Sequence, residues 1–335
     1  MKKILKAGQH VVGMDIGGTK MMAAVFDSDF NILGVCKKKS KTKSRERSED
    51  RIVKIIETAI ESAGGPKISG IGVGSPGPLD PDTGVIIDTP NLGWKNFPLA
   101  EMLRKRFGVP VVVDNDVNVG TYGEWCFGEI SGCRHVVGIF PGTGIGGGII
   151  VDGKMLHGFS GAAGEIGHMT VEVGGPFCGC GKRGCLEAVA SRIAISKEIA
   201  ALAIREDAPF ILEKCGTDLA TIRSGVIAEA VAKGEKKVED VVRRAAYYIG
   251  IAAGNLINIL SPEVVVVGGG LVTAMPDLFM KEIRRGVADH AMPFLRKNVR
   301  ILPATLGDNA TVMGAAHMIA TRIKSAPLKR KARAR

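Results

Sequence analysis

The tightest constraint on this chain is a glycine turn set between two apolar runs and then repeated. Val11 to Ile16 reads as a strand, Asp15-Ile16-Gly17-Gly18-Thr19-Lys20 as a tight turn at its end, and Met21 to Phe26 as the returning strand. The glycines leave backbone amides able to face phosphate oxygens, while Asp15 offers a carboxylate that holds a metal directly or through water. Gly142-Thr143-Gly144 lies in the same way between a strand from His135 to Phe140 and another from Gly148 to Val151. Strand, turn, strand excludes a Walker-type phosphate loop, which must open a helix. It also rejects the dinucleotide fingerprint that Gly142 to Gly147 match only formally.

Either turn alone is explained equally well by an ordinary hairpin, but together they read as two phosphate loops gripping one polyphosphate from opposite sides of a cleft. A third turn, Gly268-Gly269-Gly270, follows the apolar strand Val264 to Val267 and offers close backbone approach to an adenine or ribose.

The rest of the pattern alternates. After a meander ending at Asn31 to Val35 come a helix from Ile52 to Ala63, a strand from Ile68 to Val73, a helix from Leu99 to Phe107 and a strand from Val109 to Val113. After the second turn come a helix from Glu239 to Leu260, the strand at Val264, a helix from Asp277 to Val287, a strand from Val299 to Leu302 and a last helix from Asn309. The chain therefore reads as two copies of one plan, with an insertion from Leu156 to about Glu235 in the second. At 335 residues it exceeds the span of a single core. The expected division is an N-terminal α/β domain over 1–130, a larger C-terminal α/β domain over 131–323 and a basic tail over 324–335.

Two clusters carry chemistry. Asp114-Asn115-Asp116 follows a strand and precedes a helix, the edge where α/β proteins place ligand groups. One carboxylate there can take a hydroxyl proton, and capping of the following helix is the competing reading for Asp114 or Asn115. Cys178, Cys180 and Cys185 place three thiolates in one short loop, and His168 is the natural fourth ligand for a closed tetrahedral zinc site, structural rather than catalytic.

Seven cysteines, an odd number with three crowded together, fit a reducing compartment and metal binding better than a disulfide scaffold. No apolar run is long enough to span a bilayer, so the expected location is cytoplasmic, with no membrane partner. Much of the net charge of +11 comes from Lys37 to Arg47 and from the tail beginning at Arg322. Few aromatics interleave these runs, so solvated segments are favoured over a nucleic-acid surface.

These residues resemble the ROK family of sugar kinases and repressors, within the larger group sharing the actin-like, hexokinase-like ATPase fold. The most specific piece is Glu165-x-Gly-His168 followed by Cys178-x-Cys180-x4-Cys185-Leu-Glu187; Asp15 to Lys20, Ser75-Pro-Gly77-Pro78, Asn115-Asp116 and Gly142 to Gly144 also match. The resemblance covers about residues 10 to 323. It implies a two-domain α/β fold with the active-site cleft between the domains, and ATP-dependent phosphorylation of a hexose 6-hydroxyl.

The resemblance implies Asp116 as the base, and Asn115, Glu165, His168 and Glu187 as sugar-hydroxyl partners, with Gly77 as a backbone contact. Asp15, Gly17, Gly18, Thr19, Lys20, Gly142, Thr143, Gly144 and Gly268 to Gly270 are the expected contacts to ATP and Mg²⁺. Asn91-Leu-Gly-Trp94 resembles a segment of the family's glucokinases, so glucose leads over fructose, mannose and N-acetylated hexosamines, with Asn91 a further sugar contact. A homo-oligomer, dimer or tetramer, is expected. The competing classes are a sugar-sensing regulator, which would have lost the base, and a zinc hydrolase, which would need an open metal position.

Overall fold

The computed structural model describes residues 4–18, 20–40, 48–89 and 92–325, and they form two compact units. Thr19, Asn91, most of the first basic run and the tail from 326 lie outside the described residues.

The first unit opens with β1 (His10–Ile16), β2 (Lys20–Phe26), β3 (Ile32–Lys39), α1 (Ser48–Ser62) and β4 (Ile68–Ser75). A small three-stranded sheet of β5 (Leu79–Asp80), β6 (Val85–Thr89) and β7 (Trp94–Phe97) follows, then α2 (Leu99–Phe107), β8 (Val111–Asn115) and α3 (Asp116–Phe127). The main sheet runs β3-β2-β1-β4-β8, antiparallel across the first three strands and parallel from β1 outward to β8. Both sheet faces are covered, so β1 and β2 are apolar almost throughout rather than alternating.

The second unit repeats the plan with β9 (Val136–Pro141), β10 (Ile145–Val151), β11 (Lys154–Met155), and later β12 (Val264–Val267) and β13 (Arg300–Pro303). Its sheet runs β11-β10-β9-β12-β13 with the same antiparallel and parallel senses, strand for strand. The duplicated pattern in the sequence is thus a duplicated sheet. The insertion holds a 3-10 turn at Ile166–His168 and four helices, α4 (Leu186–Ala190), α5 (Arg192–Ile204), α6 (Pro209–Cys215) and α7 (Ser224–Ala232). Then come α8 (Lys236–Leu260), α9 (Gly270–Ala274), α10 (Pro276–His290) and α11 (Pro293–Arg296).

The last helix, α12 (Ala310–Ser325), belongs to the first unit, which takes the chain up to Cys126, Phe159–Ala162 and everything from Asp308. The linear division expected from the sequence assigned that helix to the second domain. What draws it back is the first sheet itself. Gly13 and Gly72 face each other across β1 and β4. A Cβ on Gly13 would stand 1.8 Å from the Val312 carbonyl oxygen, and one on Gly72 1.9 Å from that of Ala315. Sheet and helix meet backbone to backbone, and Val312, Ala316, Ile319 and Ala320 complete an apolar layer with Val11, Ala24 and Phe26.

Helix α3 crosses α12 through glycine in the same manner: a Cβ on Gly123 would lie 2.1 Å from the Ala310 oxygen, and one on Gly314 2.1 Å from the Val119 oxygen. Because a backbone oxygen cannot swing aside, Gly72→Ala should cost about 1 to 3 kcal/mol of stability. Urea unfolding measures this, and Gly225→Ala, whose new methyl meets nothing within 4 Å, is the control that should move little.

Candidate active site

In the first unit, one row of cross-strand neighbours organises the chemistry. Asp114 of β8 pairs with Gly74 of β4, Gly74 with Asp15 of β1, Asp15 with Met22 of β2, and Met22 with Lys37 of β3. Paired residues share a sheet face, so Asp15 and Lys37 point the same way. Gly74, lacking a side chain, admits the start of α3: its absent Cβ would lie 3.2 Å from the Asp116 Cα. Asp116 is thereby brought against Asp15.

The turn closes with the Gly17 amide donating to the Lys20 carbonyl at 3.0 Å, and the Ser40 hydroxyl donates to the Gly17 carbonyl. Gly18 has nothing within 4 Å of where a Cβ would stand, so that part of the turn is open. Lys20 donates to Asp308 Oδ1 at 2.5 Å and Lys37 to Oδ2 at 2.7 Å, so one carboxylate ahead of α12 holds two ammonium groups beside the Asp15 and Asp116 pair.

Asn115 does cap its helix. Its Oδ1 accepts from the amides of Val117 at 2.9 Å and Asn118 at 3.2 Å, and Asp114 accepts from the Asn115 amide at 2.7 Å and from the Asn118 side chain at 3.3 Å. The capping leaves the Asn115 Nδ2 beside Gly77, 3.6 Å from where a Gly77 Cβ would be. Asp116 accepts from the Val117 amide at 3.0 Å through Oδ1.

In the second unit the other two turns are neighbours. The Gly142 amide donates to the Gly144 carbonyl at 2.8 Å, closing the turn between β9 and β10. Gly269, with φ of +106°, fits only as glycine because a Cβ would lie 2.1 Å from the Pro141 oxygen, one residue before Gly142. Glu187, in the first turn of α4, reaches back to the second turn, its Oε2 accepting from the Ile145 amide at 2.9 Å. Gly144 makes room for it, since a Cβ there would fall 2.2 Å from that oxygen. Gly167 does the same for the 3-10 turn, whose close approach to the Ile145 carbonyl sets Glu165 and His168 next to Glu187.

The cysteine loop then meets His168. One ligand atom from each of His168, Cys178, Cys180 and Cys185 lies within 4.8 Å of the others. Cys180 and Cys185 sulfurs are 3.7 Å apart, and Cys178 Sγ is 3.6 Å from His168 Nδ1. A tetrahedron with zinc–sulfur bonds of the usual length has edges of about 3.8 Å. Burial first, and then the Cys180 and Cys178 sulfurs, push the Cys185 thiol up to about 12, while the Lys182 amide holds the Cys180 thiol below its ordinary value. The donor set and its spacing fit a closed four-coordinate metal site, with Nδ1 inward and Nε2 outward, 3.9 Å from Glu165.

In comparison with known proteins, the ROK family model matches residues 11–322. The chain belongs to the ROK family. Among its relatives is a glucokinase of Halalkalibacterium halodurans, 36% identical over 92% of this chain and 94% of the relative. A xylose repressor described as putative, from a Caldicellulosiruptor species, is 33% identical over 82% of this chain and 69% of its own length. The crystal structure of a ROK family glucokinase from Streptomyces griseus in complex with glucose and AMPPNP has a TM-score of 0.81 and 33% identity over 92% of this chain and 98% of that one. The actin-like, hexokinase-like α/β fold expected from the motifs is therefore the fold of this ROK protein.

The described site residues expected from the sequence divide between the two units. Gly77, Asn115, Asp116, Asp15, Gly17, Gly18 and Lys20 lie in the first unit; Gly142 to Gly144, Glu165, His168, Glu187, Gly268 to Gly270 and the cysteines lie in the second. Asp308 and Lys37 were not singled out. Lys37 sat inside a basic run that read as solvated, and nothing local marks Asp308, which is 288 residues from Lys20.

Burial, then the charge of Asp116, raise the Asp15 carboxyl from 3.8 to about 7, against the pull of Lys20. The fold therefore holds a proton that the unfolded chain releases between those values, so this group's contribution makes stability fall as pH rises from about 4 to about 7. Asp15→Asn should remove that slope and gain on the order of 1 kcal/mol or more above pH 7. Melting temperatures of parent and variant across pH 4 to 8, without nucleotide or divalent ions, check it.

Proposed function

We propose that this ROK protein is a cytoplasmic, ATP-dependent hexose kinase that phosphorylates the 6-hydroxyl of glucose. The observation that carries the reading is the intact pair of Asp116, at the head of α3, and Asp15, beside a closed phosphate turn. A regulator that only senses sugar has no use for such a base.

Asp116 accepts the proton of the attacking hydroxyl as the new oxygen–phosphorus bond forms and the bond to the β-phosphate oxygen breaks, releasing ADP. Asn115 through its amide, Glu165 and Glu187 through carboxylates, His168 through Nε2 and Gly77 through its backbone orient the sugar, with Asn91 a further contact. Lys20 and the Gly18 amide take phosphate oxygens at the turn that Gly17 closes, as do the amides of Thr143 and Gly144 at the turn that Gly142 closes, while Gly268 to Gly270 allow close approach of the adenosine. Magnesium, which Asp15 is placed to hold directly or through water, supplies charge neutralisation along the polyphosphate.

Zinc in the His168, Cys178, Cys180 and Cys185 site is structural. Metal on Nδ1 leaves the other ring nitrogen protonated and aimed outward as a hydroxyl donor. Glu187, two residues beyond Cys185, is anchored by the same loop. The contacts named bind hydroxyls common to several hexoses, so fructose, mannose and N-acetylated hexosamines are the substrates to set against glucose. A homo-oligomer is the expected working form.

Coupled ADP release across a hexose panel tests the activity, with glucose expected to give the highest kcat/KM; no turnover with any hexose would leave the sugar-sensing regulator. Asp116→Asn should lower kcat by about a thousandfold while glucose affinity stays close to the parent's, because the amide keeps the shape and cannot accept the proton. Cys180→Ser should lose zinc by elemental analysis and weaken glucose binding by calorimetry while ADP binding persists, since the ion's binding free energy is part of the loop's folding free energy. A zinc-free variant with parental glucose affinity would show that the metal does not organise the sugar contacts.

A further inference from the structure

Two arginines of the insertion stand at the nucleotide turns of the second unit, and the motifs do not account for either. Arg192 begins α5. Its backbone amide donates to the Gly142 carbonyl at 3.0 Å and its guanidinium donates to the Thr143 hydroxyl at 3.2 Å, so the side chain lies over the second phosphate turn. Arg223 immediately precedes α7, and its Nε donates to the Ala220 carbonyl at 2.9 Å. The next residue, Ser224, touches the third turn, its Oγ being 3.1 Å from where a Cβ on Gly270 would stand.

The electrostatics of this pair are one-sided. Among the described residues neither guanidinium is paired with a carboxylate. Burial first, and then the like charge of Arg223, push the Arg192 guanidinium below its ordinary value, so the two cations are close enough to repel. Neither α5 nor α7 has an acid in its first turn, where the positive helix end already disfavours a cation. Other arginines of this chain divide: Arg243 pairs with Glu239 and Glu282 and Arg244 with Glu198, while Arg284 and Arg296 donate to backbone carbonyls. A half-buried guanidinium without a counter-charge, set over a turn already read as a phosphate loop, is complementary to a polyanion.

We propose that Arg192, supported by Arg223, is a phosphate clamp for the nucleotide, donating to polyphosphate oxygens at the Gly142–Gly144 turn and linking that turn to the Gly268–Gly270 turn. The assignment rests on the kinase reading for the identity of the ligand and on the arginine geometry for the residues. Arg192 acts on charge that grows as the terminal phosphoryl group leaves, so its loss should reach kcat as well as ATP affinity. The sugar contacts lie on other residues and should not respond.

The test compares the parent with Arg192→Gln, Arg192→Lys and Arg223→Gln. Calorimetric titrations use ADP, adenosine and glucose, and steady-state rates are measured against ATP. Arg192→Gln can keep the hydrogen bond to Thr143 but not the charge. It should bind ADP about tenfold more weakly than the parent, the scale of one charge-assisted contact. Adenosine and glucose affinities should stay within about twofold. Arg192→Lys should recover part of the ADP affinity, because the charge returns without the planar fork. Arg223→Gln should give a smaller loss in the same direction.

An equal loss of adenosine and ADP binding would mark a merely structural role and overturn the proposal, as would parental ADP affinity in Arg192→Gln. If Arg192→Gln fails to fold, the same criteria apply to Arg192→Lys against ADP and adenosine. A parent that binds ADP through Arg192 yet phosphorylates no hexose would remove the kinase reading and leave the phosphate clamp standing.

Discussion

The chemistry of the first unit depends on an absence of side chains at the centre of its sheet. Gly74 lies between Asp15 on one neighbouring strand and Asp114 on the other, and its empty face is where Asp116 approaches. Gly13, Gly72, Gly123 and Gly314 let α3 and α12 settle backbone to backbone on that sheet and on each other. The two helices bring Asp116 at one start and Asp308 just ahead of the other to the edge that carries Asp15. A single methyl at any of these positions lifts a helix, and with it a carboxylate whose usefulness depends on position to within a fraction of an ångström. The crowding has an electrostatic consequence: two carboxylates this close resist joint ionisation, and Asp15 keeps its proton up to about pH 7.

The second unit uses the same sheet with a different division of labour. The first turn carries its own charged groups, Asp15 and Lys20. The second, Gly142-Thr143-Gly144, carries none and borrows from the insertion: Arg192 from α5 donates to the Thr143 hydroxyl, and Glu187 from α4 accepts from the Ile145 amide just past the turn. The cysteine loop ends directly at α4, so whatever holds the cysteines in place also holds Glu187. An isolated five-residue helix such as α4 has no stability of its own. Its position comes from Leu186 and Ala190 in the core and from Cys185, buried in the His168 and cysteine cluster on its N-terminal side.

Much of this was legible in the residues, and the parts that were not share one cause. Strands and helices were readable because their apolar periodicity is local; Leu99–Phe107 and Val264–Val267 end where the pattern ends. The cluster of His168 with the three cysteines was readable because the cysteine spacing is local too. The small sheet of β5 to β7 escaped because its strands are short, down to two residues, and interrupted by turn residues. The return of α12 to the first unit escaped because it depends on contact between Gly72 and Ala315, far apart in the chain. Asp308 and Lys37 escaped similarly, since an aspartate before a helix reads as a cap and a lysine on an edge strand as a solvated charge.

Duplication explains why the turns could be recognised and why their partners could not. Two copies of a sheet repeat the strand–turn–strand pattern, so each copy advertises the other. The groups that make the copies different come from elements outside the repeat: α12 and the capping run before α3 in one, α4, α5 and α7 in the other. The charged side chains at the second turn, Glu187 and Arg192, come from elements that the two copies do not share. Charge of both signs is thereby placed asymmetrically. Asp15, Asp116 and Asp308 stand at the first turn with Lys20 and Lys37, and Arg192 and Glu187 stand at the second.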